Sequence, residues 1–150
     1  MPELPEVETV KTGLAKAWIG KTIARVILRR ENLRYPFPKR FAEQLEGQTI
    51  TNIRRRAKYM LIDTNDELVF LSHLGMSGKY TIFSAEQVSE YDLKNSVKQS
   101  IFGAKTGFDG RHDHMEIRFT DGSISVYTDP RRFGIVKLFH RAEETVEPLL

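Results

Sequence analysis

The chain has 150 residues, 40% of them hydrophobic and 29% charged, which is enough for one sizeable core and ordinary for a globular domain. Lys and Arg number 23 against 20 for Asp and Glu, and the resulting net charge of +3 permits a polyanionic partner without demanding one. The absence of cysteine excludes a disulfide framework, a thiol nucleophile and a Cys-ligated zinc within these residues, and it fits a cytoplasmic protein.

The first ten residues, MPELPEVETV, hold three glutamates and no apolar run behind a basic start, so no secretory signal is expected. Leu4, Val7, Val10, Leu14 and Trp18 then recur at helical spacing, with Glu6 and Glu8 early and Lys16 late, as the helix dipole favours; Gly20 is the stop. Residues 22–29 read as a strand, and residues 39–46 as a short amphipathic helix with Phe41 and Leu45 inward. From there the chain is strand-rich, with runs at 49–54, 59–63, 68–72, 79–83, 115–119, 124–127 and 135–139. Asn65-Asp66 and Asp121-Gly122 separate pairs of these runs as hairpin turns. The expected fold class is α+β, mainly β. It is an antiparallel two-sheet β-sandwich or flattened barrel of about eight strands, with an N-terminal helix and a second short helix. Residues 86–110 show no sustained period and read as a long surface loop. No apolar stretch is long enough to span a bilayer, so a soluble chain with no membrane partner is expected.

The most informative stretch is Pro2-Glu3-Leu4-Pro5-Glu6. One reading is a helix start, because proline suits a first turn and glutamates suit its positive end. The other begins with removal of Met1, which leaves Pro2 with a free secondary amine. An α-amino group titrates near pH ~8, against ~10.4 for a lysine, so a useful fraction is nucleophilic at neutral pH. A secondary amine that condenses with an aldehyde gives an iminium of fixed positive charge, an electron sink that needs no proton. Glu3, its neighbour, is placed to shuttle protons.

Three further stretches stand behind this one. They are Arg55-Arg56-Ala57-Lys58-Tyr59, then Ser72-His73-Leu74-Gly75-Met76-Ser77-Gly78, then Tyr127-Thr128-Asp129-Pro130-Arg131-Arg132-Phe133-Gly134. With the PELPEVET start, in this order and spacing, they resemble bacterial formamidopyrimidine-DNA glycosylases, and the start differs from the Pro-Glu-Gly-Pro-Glu of the related endonuclease VIII. The resemblance runs from Pro2 to about Phe139 and fails mainly in the 86–110 loop.

What it implies is a bifunctional DNA glycosylase and abasic-site lyase working through a Schiff base. The substrate is double-stranded DNA holding oxidised purines (8-oxoguanine, formamidopyrimidines) or abasic sites. Pro2 would attack C1′ of a flipped-out nucleotide, Glu3 would handle protons, and β,δ-elimination would follow. Lys58 would contact the phosphates flanking the lesion, and His73 would be a second phosphate contact; taken alone, a histidine before Leu-Gly is more often a structural hydrogen-bonder. Met76, Arg131 and Phe133 would fill the space left by the everted nucleotide: Phe as a wedge, Met as a gap filler, Arg on the Watson–Crick face of the orphaned cytosine. Glu6 either helps seat the damaged base or complements the helix dipole. Arg54 and Arg55 individually read as a solvated strand face. His112-Asp113-His114 is assigned a structural role and no metal is expected, because no third ligand accompanies the pair.

Residues 1–150 would form the N-terminal catalytic domain of a longer, monomeric bacterial protein. The helix-two-turn-helix region and the four-cysteine finger holding one zinc ion would lie outside them, and no cofactor would sit within them. Alone, such a half should bind duplex DNA weakly, with little or no activity. Two other classes account for part of the pattern. A tautomerase explains Pro2 but not the three side chains on glycine turns, and a non-enzymatic binder of distorted duplexes explains those side chains but not Pro2.

Overall fold

The structure, a computed structural model, describes residues 4–30, 32–89 and 113–146. Helix α1 (Leu4–Trp18) leads into strand β1 (Ile23–Leu28) and the short helix α2 (Phe41–Leu45). Seven strands follow: β2 (Ile50–Arg56), β3 (Tyr59–Thr64), β4 (Leu68–His73), β5 (Lys79–Phe83), β6 (Asp113–Phe119), β7 (Ile124–Thr128) and β8 (Ile135–His140). A 3-10 turn, Arg141–Val146, comes after them. The strands form two four-stranded antiparallel sheets, in the orders β1-β6-β7-β5 and β2-β3-β4-β8. This is the two-sheet, mainly β arrangement expected from the sequence.

The main core lies between the sheets. Val26, Met115, Ile117 and Tyr127 from one sheet meet Ile53, Ile62 and Phe70 from the other, and α1 adds Val7, Leu14 and Trp18. Trp18, fully buried, packs edge-on to Tyr80 at 5.3 Å between ring centroids, and its indole N–H donates to Ser125 Oγ at 2.8 Å. The apolar face of α1 starts one turn later than its spacing suggests, since Leu4 is 45% exposed.

Strands β3 and β4 are buried almost end to end because the second sheet is covered on both faces. Phe70 faces the main core, while Val69 and Leu71 join Leu61, Ile135 and Phe139 in an outer cluster. The same outer face holds Arg54, which is not a solvated side chain. Its guanidinium grips Asp63 through two bonds of 2.7 and 2.8 Å and reaches Glu144 on the 3-10 turn at 2.8 and 2.9 Å. Asp63 is buried, so the fork of Arg54 compensates a carboxylate that water cannot reach. These two acids hold Arg54 charged and push its pKa upward.

Several features differ from expectation. Helix α2 begins at Phe41 because Arg40 takes a left-handed backbone (φ 55°, ψ 30°) that cannot continue a helix toward residue 39. Strand β6 begins two residues earlier than expected, at Asp113, so that Asp113 and His114 are strand residues. Residues 85–89 form a helical turn whose Val88 packs on Phe83, Ile124 and Val126, so the expected loop starts later than 86. The rest of that loop, 90–110, lies outside the described residues. The 3-10 turn had no apolar period to announce it and is held by the Arg54–Glu144 pair.

Ser125→Ala should leave the buried Trp18 indole N–H without an acceptor and cost about 1–3 kcal/mol of stability. Urea unfolding followed through the fluorescence of Trp18, the single tryptophan, measures this. A loss under half of the lower figure would mean that water replaces the serine.

Candidate nucleic-acid interface

Two loops leave neighbouring strand ends on one side of the domain. The first, residues 74–78, joins β4 to β5, and the second, residues 129–134, joins β7 to β8. They are fastened to each other by Asp129, whose side chain is fully buried. Its Oδ1 accepts the Ser77 hydroxyl at 2.7 Å and the Arg132 N–H at 3.0 Å, and its Oδ2 accepts the Gly134 N–H at 2.8 Å and the Tyr127 hydroxyl at 3.0 Å. Ser77 Oγ accepts in turn from the Arg131 N–H at 3.1 Å. The backbone carbonyl of Asp129 receives Nε2–H of the buried His114 at 2.6 Å. Burial foremost, then Tyr80 and the Asp129 carboxylate, hold the Tyr127 phenol protonated, so it stays a donor at every physiological pH.

The glycines of both loops are demanded by this closeness. A Cβ on Gly75 would lie 2.5 Å from the Phe133 backbone, and one on Gly78 or Gly134 would strike the Tyr127 hydroxyl. Gly75 also has φ +64°, a left-handed conformation that favours glycine.

On this frame three side chains point outward. Met76 is 47% exposed, Phe133 46% exposed, and Arg131 lies beside them with Nη1 3.8 Å from Met76 Sδ. Apolar side chains left in water on these turns forgo a stabilisation that core positions would supply, and a group of them is a candidate contact surface. Met76, Arg131 and Phe133, grouped by their motifs in the sequence, thus stand together at the surface.

Beside them is an open pocket of about 520 Å³ whose wall includes His73, Tyr59 and Arg34 along with Met76 and Phe133. His73 ends β4 on the outer-cluster side of the sheet, and its ring packs on Tyr59 at 4.8 Å. Nδ1 accepts the Gly75 N–H at 3.0 Å, which leaves the proton of the neutral ring on Nε2, available to an acceptor. Partial burial, then the charges of Lys58 and Arg34, lower its pKa, so His73 is a neutral donor at pH 7. Lys58 occupies the β2–β3 hairpin, where Ala57 takes φ 52°, next in sequence to Tyr59.

Pro2 and Glu3 lie outside the described residues. Glu6 is exposed on the first turn of α1. Further along the helix, Glu8 accepts from Arg55 Nε at 2.7 Å, which fastens the start of α1 to the strand leading into the Lys58 hairpin; Arg55 is therefore paired rather than simply solvated. This bond, with that from Lys11, lowers the Glu8 pKa. Asp113 accepts the Thr128 hydroxyl at 3.0 Å and His114 serves the Asp129 carbonyl, so both act in the framework; His112 is outside the described residues. Among the described residues no three His, Cys, Asp or Glu side chains are placed to hold a metal.

Asp129, Ser77 and Tyr127 sit inside motifs the sequence singles out, yet nothing local marks them as the fastening. Arg34 was missed altogether, because its approach to the pocket depends on the fold of an irregular loop.

The profile of the family described as formamidopyrimidine-DNA glycosylase N-terminal domain matches residues 1–136. A formamidopyrimidine-DNA glycosylase of Rhodopseudomonas palustris is 44% identical over 150 residues, covering all of this chain and 49% of that protein. One from Methylorubrum extorquens is 42% identical over 160 aligned residues, covering 99% of this chain and 51% of that protein. Among solved structures, the Lactococcus lactis Fpg in complex with an abasic-site-containing DNA superposes with a TM-score of 0.74 at 29% identity, over 97% of this chain and 46% of that one. The same protein with a DNA containing N7-benzyl-Fapy-dG gives the same figures. The chain thus spans about half the length of the curated relatives it matches.

Two outcomes follow from the loop frame. Asp129→Asn turns an NH2 toward donors that now meet a carboxylate oxygen and should cost ~3 kcal/mol, against ~1 for Ser77→Ala, with faster amide exchange across residues 129–134. Equal costs would show that the carboxylate is not the fastening. For His73 the folded pKa is lowered. Its stabilising contribution is therefore full above the unfolded value near ~6.5 and lost as pH falls through the lowered one. The melting temperature of the wild type should drop more than that of His73→Gln between pH 7.5 and 5.5, and parallel curves would contradict a depressed His73.

Proposed function

Because the chain belongs to the formamidopyrimidine-DNA glycosylase family, we propose that it carries the catalytic half of a base-excision enzyme acting on oxidised purines and abasic sites in duplex DNA. The observation that carries this reading is the group Met76, Arg131 and Phe133, exposed and held side by side on a rigid frame next to a neutral imidazole and two cations. That is the layout needed to occupy a vacated base position while the flanking backbone is held. The relatives that superpose on it are DNA complexes carrying an abasic site or a substituted Fapy-dG, which supports the same class of substrate.

In this reading residues 1–150 are the N-terminal domain, working as a monomer in the bacterial cytoplasm. Phe133 wedges the stack, Met76 fills the gap, and Arg131 donates to the base opposite the lesion. Lys58 and the Nε2–H of His73 take the phosphates. Glu6 faces the damaged base.

With Met1 removed, the Pro2 nitrogen attacks C1′ as the bond to the base breaks, and Glu3 delivers a proton to the ring oxygen or to the departing base. Opening of the C1′–O4′ bond with a proton on O4′ gives the iminium, which acidifies C2′. That proton passes to solvent as the C3′–O bond breaks and the 3′ phosphate leaves, a second elimination breaks the C5′–O bond, and water hydrolyses the C1′–N bond to free Pro2. The zinc that the family resemblance implies would be held by cysteines, and this chain has none. A tautomerase reading leaves the exposed Phe133 and Met76 without a use.

Borohydride should trap a covalent product between the full-length protein and abasic-site DNA, and Pro2→Gly should sharply reduce it, because a primary glycyl imine must stay protonated to act as a sink. Glu3→Gln should lower excision of an intact damaged nucleoside by ~10²-fold or more while affecting cleavage of a ready-made abasic site less. Equal losses in both reactions would make Glu3 structural, and undiminished trapping by Pro2→Gly would remove Pro2 as the nucleophile.

A further inference from the structure

The pocket beside Phe133 has one cation that the motifs do not explain. Arg34 belongs to a tight turn, residues 32–36, closed by pairing between Asn32 and Pro36 and by the Leu33 N–H donating to the Tyr35 carbonyl at 3.0 Å. Buried Leu33 pins this turn in the main core, so Arg34 and Tyr35 are turned outward. The Arg34 N–H donates to the Gly134 carbonyl at 3.3 Å, which ties the turn to the loop carrying Arg131 and Phe133. Its side chain lines the pocket with His73, and its charge, like that of Lys58, bears on the His73 ring.

Four arginines of the domain hold a carboxylate: Arg29 and Arg118 share Glu116, Arg54 holds Asp63 and Glu144, and Arg55 holds Glu8. Arg34 and Lys58 have no carboxylate partner among the described residues. The Arg34 Cζ lies 5.7 Å from the ring centroid of Tyr35, and the half-exposed Tyr35 ring is shared with Lys137 at 5.8 Å. A cation and a neutral N–H donor on the wall of one open pocket, with the charge of Lys58 also bearing on that donor, form a surface complementary to an anion. A guanidinium offers a planar fork that matches phosphate oxygens.

Building on the glycosylase reading, we infer that Arg34 is a third phosphate contact. It would grip the DNA backbone beside Lys58 and His73 and be positioned by the Gly134 carbonyl, so that backbone and wedge are engaged in one register. A phosphate contact is indifferent to base identity and releases a counterion. Each one lost should therefore lower the slope of log K against log salt by about 0.9.

The test uses the full-length protein and a duplex containing a tetrahydrofuran abasic analogue, with affinity measured across a potassium chloride series and with each of the four bases opposite the analogue. Arg34→Ala should weaken binding about tenfold at low salt, the scale of one charge-assisted bond, and reduce the slope by about 0.9. Arg34→Lys should restore most of the slope, and Tyr35→Phe should leave it unchanged. The weakening should be the same opposite all four bases.

A wild-type slope in Arg34→Ala overturns the inference, and so does a loss confined to one opposite base, which would make Arg34 a base reader. A wild-type protein that does not hold the duplex overturns the glycosylase reading and this inference with it. Wild-type binding with an unchanged Arg34→Ala slope removes Arg34 alone.

Discussion

The buried carboxylate of Asp129 is the constraint from which the outward face of this domain follows. Four donors converge on its two oxygens, from Ser77, Arg132, Gly134 and Tyr127, and its own carbonyl is taken by His114. A carboxylate in the protein interior is tolerable only when its lone pairs are satisfied. The chain around it therefore has little freedom: two loops from different strand pairs must approach until their backbones touch, and the residues at the points of approach must be glycine. Gly75 meets that requirement against the Phe133 backbone, and Gly78 and Gly134 meet it against the Tyr127 hydroxyl. Met76, Arg131 and Phe133 protrude because the residues alternating with them are spent on the carboxylate and the close approach.

The large-scale fold was legible because its signals are local and periodic. Alternation in residues 79–83 and 124–127, continuous apolar runs in 59–63 and 68–72, and turn residues at Asn65-Asp66 and Asp121-Gly122 locate strands without knowledge of their partners. What was not legible depends on long-range pairing. Arg54 reads as one more surface arginine until Asp63, its neighbour across the hairpin, and Glu144, ninety residues away, are brought to it. The late start of α2 turns on one left-handed residue, Arg40, of a type that seldom adopts that conformation.

The site divides along the same line. Met76, Arg131 and Phe133 were found through family motifs whose residues stand close in sequence, and the outward placement fits the glycine-flanked turns they occupy. The role of Asp129 was invisible although it stands in the same motif as Arg131, because its partners come from two loops and a strand. Arg34 carried no motif at all; a core leucine beside it and one backbone bond to Gly134 decide where it goes.

The contrast between a rigid frame and loose tips has a thermodynamic reason. Ordering side chains and loops on association opposes binding by about 0.5–1.5 kcal/mol for each immobilised, rotamer-rich side chain, and by more when backbone must also be fixed. Here the backbone of both loops is already fixed by Asp129, so only the side-chain torsions of Met76 and Arg131 remain to be settled, and Phe133 has just two. The pocket beside them follows the same principle in its electrostatics. Burial and two nearby cations keep the His73 imidazole neutral, with its acceptor nitrogen occupied by Gly75 and its donor nitrogen available. A neutral donor adds a directed hydrogen bond without a third positive charge to repel the first two when no anion is present. The network that holds the loops and the tautomer of His73 are thus both set before any ligand arrives, and the free energy of contact is not consumed in arranging them.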